Sequence, residues 1–147
     1  MRLTANRIAG ILRSNGYRLT PQRHAVLKAI ASSDGHLTAD AILERARTLA
    51  PDIGRVTVYR TLEVLGQLGL VCRVYMPAGG RSYMMTRPTG HHHHLVCTRC
   101  GRTVDFADCD LRGLEQRLQK ETGFVPSGHL LEVYGVCPAC GDSSSSA

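Results

Sequence analysis

The chain has 147 residues, a net charge of +6, 43% hydrophobic residues, two Phe, no Trp and six Cys. That length suits one ordinary domain or two small ones, and no run of about 18 apolar residues is present to span a membrane. The N-terminus carries no apolar signal core, so the cysteines are expected to bind metal in a reducing cytoplasm rather than to form secreted disulfides.

Charge is uneven. Residues 1–85 carry 12 Lys/Arg against 5 Asp/Glu, whereas residues 86–147 carry 6 against 7. A basic first half beside a slightly acidic second half points to a polyanion binder joined to something else.

In chain order, Leu3, Ile8, Ile11 and Leu12 predict a short amphipathic helix ending near Gly16. Thr20-Pro21 supplies an N-cap with proline at the first helical position, and Val26, Leu27 and Ile30 form the inner stripe of that second helix. Thr38 caps a third helix, with Asp40 in its first turn, Ile42, Ala46 and Leu49 facing inward, and Pro51 after its end. In the fourth, Val58, Leu62 and Leu65 make a core stripe, and Val56, Tyr59, Arg60 and Glu63 face the other way. An aromatic ring and a guanidinium near a helix N-terminus suit bases and phosphates. Gly69 ends that helix. Leu70–Tyr75 and Arg81–Met85 then read as strands around Pro77-Ala78-Gly79-Gly80, so the first half is a winged helix-turn-helix. A solvated Tyr/Arg face on a plain helical domain is the alternative.

The second half carries metal chemistry. Cys97-x-x-Cys100 and Cys137-x-x-Cys140 suit a closed tetrahedral zinc site, each pair gripping one edge. The 36 residues between the pairs must hold a small subdomain: a strand over Val104–Phe106, a helix over Leu111–Lys120 and a strand over Leu130–Val136. A thioredoxin-like redox pair would need a βαβ context that is missing. Four sulfurs fill the zinc, so His91-His92-His93-His94 points to other metal. In an extended strand, His91 and His93 point one way and His92 and His94 the other, giving two sites. A polar loop or a cloning tag would give the same run, although tags are usually terminal and longer. No H-E-x-x-H or comparable pattern supports a zinc hydrolase, and a metal-storage protein would leave the Tyr59-Arg60 face without purpose.

At Gly16-Tyr17-Arg18-Leu19-Thr20-Pro21-Gln22-Arg23, Thr57-Val58-Tyr59-Arg60-Thr61-Leu62, His91–Cys100 and the final C-x-x-C, the chain resembles the ferric-uptake-regulator (Fur) family over roughly residues 3 to 141. The resemblance implies an α+β protein and not an enzyme: a cytoplasmic, homodimeric, metal-dependent repressor of metal-uptake genes that binds a double-stranded DNA operator. It implies a winged-helix domain over 1–85, a hinge over 86–93, an α/β dimerisation domain over 94–141, and a disordered tail over 142–147. DNA contacts fall by resemblance on Arg18, Arg55, Thr57, Tyr59 and Arg60. The structural zinc falls on Cys97, Cys100, Cys137 and Cys140. A hinge site for regulatory Zn²⁺ or Fe²⁺ falls on His36, Cys72, His92, His94 and Asp105, and a second site on His91, His93 and His129.

The all-histidine run looks more like the zinc-uptake-regulator (Zur) branch, since nitrogen ligands favour zinc over iron. Cys72 stands where some such proteins place an aspartate ligand; a buried apolar cysteine is its other reading. Thr86 replaces the usual hinge-site Glu, Asp or Cys. Arg112 replaces the glutamate that usually completes the second site; either Cys109, Asp108 or Glu115, each within a turn of it, substitutes, or the second site is incomplete. Iron or peroxide sensing through His36, His92, His94 and Asp105 is the nearest alternative of the same class.

Overall fold

The computed structural model describes residues 3–86 and 91–141, so the expected tail over 142–147 and hinge residues 87–90 lie outside the described residues. The chain divides into two compact units, Met1–Gly90 and His91–Ala147.

The first unit contains α1 (Ala5–Ser14), α2 (Pro21–Ala31), β1 (Leu37–Thr38), α3 (Ala39–Arg47), α4 (Arg55–Gln67), β2 (Val71–Tyr75) and β3 (Arg81–Met85). Threonines start three of the helices. Thr20 Oγ1 accepts from the Arg23 N–H at 3.2 Å and Thr38 Oγ1 from the Ala41 N–H at 3.2 Å, while Thr4 caps α1. Each such cap contributes about 1 kcal/mol. α4 starts instead at Gly54, with no side-chain cap. It ends at Gly69, whose φ of 66° lets the Leu70 N–H turn back to the Leu65 carbonyl at 2.8 Å.

Ile8, Leu12, Leu27, Ile30, Ile42, Ile53, Val58, Leu62 and Leu65 are buried together in one hydrocarbon core. Each fully buried side chain of this kind contributes about 1.5–3 kcal/mol. Leu49 is a correction: it is 56% exposed, because α3 stops at Arg47 and Leu49 falls in the turn beyond. β1 was not anticipated; two residues are too few to show a period. The sheet order is β1-β3-β2, both pairings antiparallel.

The second unit contains β4 (His93–Cys97), β5 (Thr103–Phe106), α5 (Arg112–Thr122), β6 (Glu132–Gly135) and the one-turn α6 (Pro138–Gly141). β4 is central, antiparallel to β5 and parallel to β6. The expected strand over Leu130–Val136 is shorter at both ends, and Leu130 is exposed. Among the described residues, the buried positions here are His93, His94, Val96 and Cys97, and α5 buries none. Leu95 pairs with Val104 on one side and Val133 on the other, and this apolar row is 43%, 48% and 41% exposed. By strand alternation the row shares its face with His93 and Cys97, while His94 and Val96 lie on the other.

Candidate metal centres and nucleic-acid interface

Four sulfurs converge where β4 ends. Cys97 closes that strand, Cys100 follows one turn later, and Cys137 and Cys140 bracket the start of α6. Their Sγ atoms all lie within 4.8 Å of one another, and Cys100 and Cys137 are 3.7 Å apart. A tetrahedron with zinc–sulfur bonds of about 2.3 Å has edges of about 3.8 Å, so the set fits zinc. Gly101, at φ 74°, lets the chain reverse after Cys100, and its N–H bonds the Cys97 carbonyl at 3.0 Å. The Arg99 guanidinium donates to the Cys140 carbonyl at 2.7 Å and joins the two turns. Backbone N–H groups of Cys100 and Cys137 hold the Cys97 thiol down at about 6, as a metal-binding thiolate requires. Hydrogen bonds with the Cys137 and Cys100 thiols push Cys140 up to about 12. No disulfide links the described cysteines.

The histidine run separates by face as its period dictates. The His91 and His93 rings lie 4.4 Å apart, and the His92 and His94 rings 5.2 Å apart. On the first face, the ligand atoms of His91, His93, Cys109 and His129 all lie within 4.8 Å of one another. His91 Nε2 and His129 Nε2 are 2.7 Å apart, and Cys109 Sγ is 3.1 Å from His129 Nε2. His93 is 2% exposed and its Nε2 has no hydrogen-bond partner among the described residues. A buried nitrogen in that state is costly unless a cation meets it, so this set too fits a metal. Burial first, then the neighbouring charges of His91 and His129, lowers the His93 pKa and keeps its lone pair available. Of the three substitutes considered for Arg112, Cys109 joins the cluster. Glu115 Oε1 instead accepts from His129 Nδ1 at 2.8 Å, and Asp108 and Arg112 are exposed.

On the second face, His94 Nε2 stands 3.6 Å from Asp105 Oδ1. Cross-strand register makes the pair: His94 faces Asp105 on β5 and Glu132 on β6. Burial lowers the His94 pKa, opposed by the Asp105 charge. Glu132 escaped sequence reading, since nothing local reveals a parallel register.

Within the first unit, His36 precedes β1, and continuing the β1–β3 register by one residue sets it beside Met84, which pairs with Cys72. Their ligand atoms lie within 4.8 Å of each other. The Cys72 thiol also donates to the Met84 carbonyl at 3.4 Å. Cys72 is half-buried, which is compatible with either of its sequence readings.

The helix face expected to meet nucleic acid is solvent-exposed: Val56, Tyr59, Arg60 and Glu63 point outward. Thr57 is half-buried, and its carbonyl accepts from Thr61 Oγ1 at 2.7 Å. Arg55, at the start of α4, pairs with Asp40 of α3 at 2.9 Å. Arg18 is exposed, and its carbonyl accepts from the Arg23 guanidinium at 2.6 Å.

Comparison with known proteins identifies the family. The Ferric uptake regulator family model matches residues 14–134. Peroxide-responsive repressor PerR of Staphylococcus saprophyticus is 39% identical over 131 residues, covering 89% of this chain and 87% of that protein. The Ferric uptake regulation protein of Campylobacter jejuni is 33% identical over 141 residues, covering 95% and 89%. A solved structure of a zinc uptake regulator complexed with zinc and DNA is 27% identical, with a TM-score of 0.69 and coverage of 96% and 95%. The chain belongs to the ferric uptake regulator family, metal-responsive transcriptional regulators and not enzymes.

Proposed function

We propose that this protein is a cytoplasmic, zinc-responsive, dimeric repressor of metal-uptake genes, nearest in chemistry to zinc uptake regulators. The observation that carries the zinc reading is the pairing of His36 with Cys72 across one β-row. A thiolate beside imidazole suits zinc better than the mixed nitrogen and oxygen sets that suit iron.

Zinc held by Cys97, Cys100, Cys137 and Cys140 would tie the second unit together and would not sense. A regulatory zinc would draw on His36, Cys72, His92, His94 and Asp105. Such a ligand stabilises only the arrangement in which these side chains reach it, and so shifts the population toward that state. A closed dimer would then present two α4 helices to half-sites one DNA turn apart. The exposed Leu95–Val104–Val133 row is the surface we assign to the dimer. Tyr59 would meet thymine methyls and Arg60 phosphates or a base, with Arg18, Arg55 and Thr57 adding backbone contacts. Loss of metal would release the DNA and derepress the uptake genes.

A second reading, iron or peroxide response, is favoured by the 39% identity to a peroxide-responsive repressor and by Asp105 beside His94. The test is binding to genomic fragments selected by the metal-loaded protein, repeated after chelation with zinc, iron and manganese added back in parallel. Recovery with zinc at the lowest free concentration is expected; recovery with iron alone would overturn the zinc reading. Replacing Tyr59 and Arg60 together by Ala should abolish DNA binding and leave the zinc content unchanged.

A further inference from the structure

We infer that the cluster on the His91/His93 face is a thiolate-bearing metal site. In it Cys109 replaces the family's carboxylate ligand, and Glu115 acts as a positioning residue that aims His129. The inference deepens the proposed function at a set of residues separate from His36 and Cys72.

His129 makes contacts on both ring nitrogens. Its Nδ1 lies 2.8 Å from Glu115 Oε1, and its Nε2 lies 2.7 Å from His91 Nε2 and 3.1 Å from Cys109 Sγ. An ionised carboxylate only accepts hydrogen bonds, so the proton of neutral His129 sits on Nδ1 and points at Glu115. The Nε2 lone pair is thereby turned toward His91 and Cys109. Carboxylate, imidazole and metal in that order are the arrangement by which outer carboxylates orient metal-bound histidines.

The other members face the same point. His93 is buried, and its Nε2 has no hydrogen-bond partner among the described residues. Together with His91, His129 and Cys109 it offers three nitrogens and one sulfur within 4.8 Å of one another. Four such ligands close a tetrahedron without any contribution from Arg112, which is exposed. Three imidazoles and a thiolate select zinc or cobalt over manganese and magnesium. Cys109 must lose its proton to bind, so occupation releases one proton to solvent.

The experiment uses full-length protein carrying Cys72→Ser, purified with its tightly held zinc in place and stripped only of exchangeable metal. The zinc in the four-cysteine set is spectroscopically silent, so a thiolate-to-cobalt charge-transfer band on adding Co²⁺ reports Cys109. The band is expected to saturate at one equivalent. Adding Cys109→Ser should remove it and weaken that cobalt step at least about tenfold; an unchanged band would overturn the ligand assignment. Cys109→Asp should bind cobalt without the band, which decides the question if the serine variant does not fold; a band retained in Cys109→Asp would contradict the proposal. Glu115→Gln should keep the band while weakening affinity about 10–100-fold. Unchanged affinity would remove Glu115 from the site, and loss of the band would show that the cluster needs Glu115 as more than a guide. Failure of any arm leaves the hinge reading standing, since that is tested by metal-dependent DNA binding of the unmutated protein.

Discussion

The two units reach stability by different physics. The first hides Leu, Ile and Val side chains in a hydrocarbon core closed by threonine caps and a winged sheet. Among its described residues the second hides two histidines, a valine and a cysteine, and leaves Leu95, Val104, Val133, Phe124 and Val125 exposed. So few buried apolar groups cannot offset the conformational entropy of ordering the chain. On the proposed function, what the second unit lacks in hydrocarbon comes from metal bonds and from a partner surface. A change in metal is then expected to reach one unit far more strongly than the other.

The largest expected effect comes from breaking the four-cysteine set. Cys97→Ser or Cys140→Ser removes a ligand from a site of a kind that contributes about 10–16 kcal/mol to small zinc domains. Thermal unfolding should then show loss of the second unit's transition, with the first unit's transition retained. A middling effect attends Leu62→Ala, which empties part of the first unit's core. It should cost about 2–5 kcal/mol in denaturant unfolding of that unit, with metal content unchanged. The smallest effect is in pH. The His93 and His94 pKa values are lowered from 6.5 in the folded protein, so the unfolded chain takes up protons first as pH falls. Their contribution is whole above pH 6.5 and is lost on acidification through the lowered folded values. Protein stripped of exchangeable metal but keeping the zinc of its four-cysteine set should show this as a falling second-unit midpoint below pH 6.5, and the first unit should shift less.

Much of the fold was legible because helices announce themselves over long windows. The Val58-Leu62-Leu65 stripe, the Thr20-Pro21 start and Gly69 all act within a few residues of where they stand. Leu49 misled because a stripe does not say where the helix stops, and β1 escaped because two residues carry no period. The site shows the same division. Cysteine spacing and the alternation of the histidine run are local facts. The pairing of Cys109 with His129, of Glu115 with His129 and of Glu132 with His94 depends on a crossover and a parallel register. Those distances in space have no fixed distance in sequence.

The contrast between the units is tested most directly by amide hydrogen exchange on the full-length protein, fully metal-loaded and then exhaustively chelated. On chelation, β4, β5 and β6 should lose protection while α2, α3 and α4 keep theirs. Equal protection of β4–β6 in the two states would contradict a metal-built second unit.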